Sequence, residues 1–164
     1  MTALSRLAAR LAPFGAAAAA ALFFVGAAGA GQTQAFSASY SGSGSGYASG
    51  KKAAGIGTMS GRGRLIGRST LRGSGLGTFA SPTCVTFDGK ATIRGARGTL
   101  RLALRGGRAC ASDGAADSVS FSGRAQVVGG TKRFAGARGA LRFTGTYTRS
   151  TRAVSISFRG RISY

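Results

Sequence analysis

Acid, base and nucleophile chemistry has little to work with in this 164-residue chain, whose acidic complement is Asp88, Asp113 and Asp117, with no Glu, His, Trp or Asn. Without histidine, neither a Ser-His-Asp nor a Cys-His arrangement can form, and no motif sets a lysine beside a serine as its base. Glycoside hydrolysis normally needs two carboxylates flanking one bond. Asp113 and Asp117 are the close pair, but they lie in a Gly/Ala/Ser stretch among arginines, where solvation and local charge balance are their expected role. Hard cations want several carboxylate oxygens and zinc wants paired cysteines or histidines, so no metal site, cofactor or catalytic residue is expected.

Arginine is the abundant chemistry. The chain carries 23 Lys and Arg residues for a formal charge of +20, and lysine contributes only Lys51, Lys52, Lys90 and Lys132. A GC-rich coding bias would produce the same Ala-, Gly- and Arg-rich composition. Six arginines, Arg101, Arg105, Arg124, Arg142, Arg159 and Arg161, alternate with apolar residues and fall on the polar side of their segments. A guanidinium fork suits phosphate and carboxylate, so a cationic face for anionic envelope or extracellular polymers is the sharper expectation, beside the plainer one of a solvated surface. No recognition helix, zinc module or exposed aromatic platform is visible, so sequence-specific nucleic-acid reading is not expected.

Cys84 and Cys110 are the two cysteines. An even count in an exported chain reads as a disulfide, with two free thiols as the alternative. Export is expected from the first thirty residues: Arg6 and Arg10 precede the apolar run Leu11 to Gly26, and Ala28-Gly29-Ala30 offers the small residues of a cleavage site. As an alternative, Leu11 to Ala30 has the ~20 residues that would anchor the chain in a bilayer. If residues 1–30 are a cleaved signal, the remaining chain keeps a net charge of +18. The membrane is expected to meet the chain through that segment alone.

The elements behind these residues read as strands. Phe36, Ala38 and Tyr40 alternate with serines, and Ser41 to Gly50 reads as an open Gly/Ser loop after that first strand. Glycines recur at near two-residue spacing from Ala53 to Phe79, which helices tolerate poorly, and two strands are expected near 54–66 and 69–79. Cys84 to Gly89 reads as a strand entering a turn, and Leu100, Leu102 and Leu104 are a buried face. Gly106 to Ala116 reads as a loop holding Cys110. Further alternating segments run from Val119 to Gln126, Leu141 to Thr148 and Val154 to Tyr164. No apolar period near 3.6 persists after residue 30, so a single all-β domain of about eight strands is expected, its first part at 31–52 and the remainder at 53–164. An internal echo pairs Gly95-Ala96-Arg97-Gly98-Thr99-Leu100-Arg101-Leu102 with Gly136-Ala137-Arg138-Gly139-Ala140-Leu141-Arg142-Phe143, as two equivalent turn-to-strand corners would.

The stretch Gly129-Gly130-Thr131-x-Arg133-Phe134-x-x-Ala137-Arg138-Gly139 resembles the GGTGxFxxARG signature of the dirigent and allene oxide cyclase barrel families, with Lys132 where those families usually have glycine. The resemblance implies an eight-stranded antiparallel β-barrel and an interior that guides a small reactive molecule. Those families use glutamate or aspartates inside the barrel. This chain has no Glu and no aspartate on an inward strand position, so fold transfers better than activity. The leading expectation is therefore an exported, non-catalytic barrel with a cationic binding face. A barrel that binds or guides a small apolar ligand is second, and an outer-membrane barrel, suggested by strand alternation and the terminal Tyr164, is third.

Overall fold

A computed structural model describes residues 32–164; the export segment expected at 1–30 lies outside the described residues. Eight strands follow one another: β1 (Thr33–Ser49), β2 (Lys52–Gly63), β3 (Gly67–Ser81), β4 (Cys84–Gly95), β5 (Gly98–Ala111), β6 (Ser118–Gly130), β7 (Arg138–Thr148) and β8 (Ala153–Ser163). Each pairs antiparallel with its neighbour in sequence, and β1 pairs with β8 from Thr33↔Ser163 to Ser43↔Ala153, so the meander closes into a barrel.

The period-two alternation sorts every strand into an inner and an outer row, as the pleat requires. Leu100, Leu102 and Leu104 on β5, Leu141 and Phe143 on β7, and Ile156, Phe158 and Ile162 on β8 point inward and are buried. Phe143 stands at the centre of an aromatic group, with ring centroids 6.1 Å from Phe87, 6.5 Å from Phe121 and 6.2 Å from Phe158. Full burial of each such side chain stabilises the fold by about 1.5–3 kcal/mol, which makes this interior the principal source of stability. Serine, threonine and arginine dominate the outer row of β5–β8, the reverse of a lipid-facing barrel wall.

The short 3-10 turn Lys132–Phe134 between β6 and β7 folds under one end of the barrel. Phe134, Ala137 and Ile66, each almost wholly buried, plug that end. The echoed corners agree at their closing glycines, Gly98 at φ +136° and Gly139 at φ +154°, and differ before them: Gly136 has φ +72° whereas Gly95 ends β4, and Ala137 is buried whereas Ala96 is exposed. A Cβ at Gly98 would run into the Thr131 carbonyl oxygen, and one at Gly139 into that of Arg161, so neither position accepts a side chain. Lys132 also lies in the left-handed region, at φ +53°, which is where a glycine would be at ease.

Three expectations are corrected. Ser41 to Gly50 is not an open loop: β1 continues to Ser49 because its alternating glycines and serines pair with β2 as far as Ser49↔Lys52. Asp88-Gly89 is not a turn. β4 runs through it, and the irregularity is a bulge between Phe87 and Gly89 against β5. Gly106 to Ala116 is mostly strand, since β5 resumes after that bulge and holds Cys110 opposite Cys84. In each case cross-strand backbone hydrogen bonds outweigh the local preference of Gly, Ser and Asp for turns.

Candidate functional site

All six arginines expected on the polar side are exposed on the outer wall. The register aligns four of them directly: Arg105 on β5 pairs with Arg124 on β6, Arg124 with Arg142 on β7, and Arg142 with Arg159 on β8. Arg159 then faces Ser37 on β1. Neighbouring strands lie about 4.8 Å apart, so the row carries four guanidiniums across roughly 15 Å of wall. Arg161 follows two residues beyond Arg159 on the same face, whereas Arg101 stands apart, opposite Gly129, where a Cβ would lie 2.9 Å from its guanidinium.

Beside the arginine row run two rows of hydroxyls. Ser122, Thr144, Ser157 and Ser39 form the first, and Ser120, Thr146, Ser155 and Ser41 the second. Hydrogen bonds cross them, Ser39 to Ser157 at 3.0 Å and Thr146 to Ser155 at 2.9 Å. An open depression of about 550 Å³ lies over these rows, with Arg108 at its border. At the other end of the arginine row a depression of about 490 Å³ is lined by Ser37, Ser39, Arg62, Arg64, Arg97 and Arg159. Arg97 is held there by donating to the Leu65 carbonyl at 3.0 Å, and the Arg64 N–H donates to Ser37 O at 2.9 Å. Arg62, Arg64 and Arg97 were not singled out from the sequence. Arg62 has the right alternation, but its approach to Arg159 depends on β1 pairing with both β2 and β8.

Carboxylates are absent from both depressions and do structural work elsewhere. Asp88 Oδ1 accepts the Gly106 N–H at 2.8 Å and Oδ2 accepts Arg105 at 3.2 Å, closing the β4–β5 bulge. The Gly106 bond, seconded by Arg105, holds its carboxyl below the usual range. Asp117 accepts both the hydroxyl and the N–H of Ser150 at 2.7 Å, tying the β5–β6 loop to the β7–β8 turn, and the hydroxyl bond leads in lowering its carboxyl. Asp113 accepts the Ala115 N–H at 2.8 Å within its own loop. The pairing of Arg105 with Asp88 is the single salt bridge among the described residues, which leaves Arg124, Arg142 and Arg159 without carboxylate neighbours. No group of three His, Cys, Asp or Glu residues suited to a metal occurs among the described residues.

Cys84 and Cys110 form a disulfide across the β4–β5 pair, 26 residues apart in sequence. Such a bond is favoured by a non-reducing environment. Arg108 lies over it, its guanidinium 3.2 Å from the Cys110 sulfur and 3.6 Å from that of Cys84. Inside the barrel the one buried polar arrangement described is Tyr40, whose hydroxyl meets the Ser69 hydroxyl at 2.9 Å. Burial raises the Tyr40 phenol, against a smaller lowering by Ser69. No protein-family model, curated protein or solved structure matches this chain.

Proposed function

We propose that this protein is an exported, non-catalytic binding module whose β5–β8 wall holds a linear polyanion of the cell envelope or its surroundings. The observation that carries this reading is the row Arg105–Arg124–Arg142–Arg159, set in register across four strands. Like charges placed directly opposite on a sheet destabilise it, so the row costs the free barrel stability. A phosphate- or sulfate-bearing chain lying across the strands removes that cost and accepts charge-assisted hydrogen bonds from each fork. The hydroxyl rows alongside can donate to the same chain or to its sugars, and the depression at Ser37 and Arg62 extends the track beyond Arg159.

The packed interior supports an outer-wall site over the guiding of an apolar ligand that the dirigent and allene oxide cyclase resemblance implies. The resemblance to those barrels rests on the Gly129–Gly139 stretch and is proposed for architecture alone. The disulfide supports a place outside the cytoplasm. Retention on a sulfated-polysaccharide column tests the proposal: strong retention at low salt should fall steeply as salt rises, because binding releases counterions. A protein that passes through at low salt, or whose retention ignores salt, does not use this wall for polyanions.

A further inference from the structure

The opposite side of the barrel has a different character. On the outer wall of β1–β3, away from the plugged end, Tyr47, Ile56 and Leu76 are 73%, 66% and 72% exposed. Tyr47 pairs with Ala54 and Ala54 with Leu76, while Ile56 is two residues from Ala54 on the same face, so the side chains surround one alanine on three adjacent strands. Phe79, at the lip of the same end, is 37% exposed. Single exposed aliphatics are ordinary, but a cluster rimmed by charge marks a contact surface. These side chains have no inner alternative, because alternation holds them on the outside.

The rim is lysine. Lys52 precedes Ala54 by two positions on β2, Lys51 sits in the β1–β2 turn, and Lys90 pairs with Ser74 in the row of Ile56. Three of the chain's four lysines therefore border this patch, whereas arginine dominates elsewhere. A partner must offer an apolar interior beneath negative charge. A second copy of this chain carries the same +20 and is repelled. An anionic bilayer satisfies both demands: a tyrosine and two aliphatics enter the interface, and lysine stems lie along the apolar surface with their ammonium groups at the lipid phosphates.

We infer that the Tyr47–Ile56–Leu76 face seats the barrel peripherally on an anionic phospholipid surface. The strands do not span it, since their core residues face inward. In a ring of eight, β2 lies across from β6, so a barrel resting on β1–β3 turns the middle of the arginine row, Arg124 and Arg142, away from the membrane. This departs from the expectation that the membrane meets only the first thirty residues, and it stands whether or not the arginine row binds polymer.

The chain has no tryptophan, which allows a local probe. Tyr47→Trp places the sole indole in the face, so its signal reports on that site whatever residues 1–30 do. With phosphatidylglycerol vesicles, its emission should shift to the blue and be quenched by brominated acyl chains, and Ile56→Ser/Leu76→Ser in the same background should weaken the titration by about tenfold or more. Phosphatidylcholine vesicles should give little response. An unshifted spectrum with anionic vesicles overturns the inference, as does an equal response to both lipids. A blue shift without vesicles that grows with protein concentration assigns the face to a second copy and also overturns it.

Discussion

Arg142→Gln should make the barrel more stable and its polyanion binding weaker. Arg142 has an arginine on each side, Arg124 on β6 and Arg159 on β8. With side chains splayed to about 7 Å, each like-charge pair costs roughly 0.6 kcal/mol in bulk water. A Debye length of about 8 Å near physiological salt reduces this to roughly 0.25 kcal/mol per pair. Removing one charge relieves two pairs, so the variant should gain about 0.5 kcal/mol there and about 1 kcal/mol in dilute buffer, within the range measured for exposed charge pairs. For a domain of this size that is a rise of about 2–5 °C in Tm, and calorimetry across a salt series should show it fading as salt is added. Titration with a fluorescent sulfated oligosaccharide should show the slope of log affinity against log salt falling by about 0.7–0.9, one counterion contact. A drop in stability, or a gain that persists unchanged in high salt, would mean that Arg142 packs rather than repels. An unchanged salt slope would remove it from the binding surface.

Replacing both cysteines by serine opens the Cys84–Cys110 link, which for a 26-residue separation should cost about 3.5 kcal/mol on the chain-entropy account, read as a lower midpoint in urea and unaffected by reductant. Lys132→Gly should raise stability by about 1 kcal/mol, because it frees a side chain from φ +53°; a loss in chemical denaturation would contradict this account of the corner. Gly139→Ala should destabilise by about 2 kcal/mol or more, since its Cβ meets the Arg161 carbonyl at a backbone angle that L side chains rarely adopt. Asp88 and Asp117 have lowered carboxyl pKa values, so their contribution is present above the ordinary aspartate value of about 3.9 and is lost as pH falls through the lower folded values. Tm should accordingly decline below about pH 4, and Asp117→Asn should flatten that decline; a Tm insensitive to acid would count against both contacts.

The alternating stretches predicted their strands directly, because in Val154 to Tyr164 or Leu100 to Leu104 side-chain period alone separates inside from outside. Where glycine and serine replaced apolar residues the pattern vanished but the pairing did not. Ser41–Ser49 is a strand held by its neighbours rather than by its own composition. The arginine row was half legible. The polar side of each segment placed Arg105, Arg124, Arg142 and Arg159 outside, and their recurrence every 17–19 residues is the length of one strand and its turn, a signal of common height on the wall. Which arginine meets which depends on bulges such as those between Arg101 and Leu102 and between Arg105 and Arg108, and a bulge leaves no mark in composition. The depression at Ser37 needed more still, since Arg62 and Arg159 belong to strands at opposite ends of the chain.

The seam between β1 and β8 also fixes the order in which the molecule can become itself. Its first and last strands are partners, and the Tyr164 hydroxyl reaches Gln34 at 3.2 Å across 130 residues. Seven strands alone leave two unsatisfied edges, on β1 and β7, each a template for pairing with another chain. A ribosome or a translocation pore therefore releases a competent barrel only when the final eleven-residue strand has emerged. Seven of the eight strand pairings join neighbours in sequence, and the β1–β8 closure alone carries the loop-closure cost of the whole domain. Until then, mutual repulsion among its many cations is what keeps one unfinished chain from zipping onto the next.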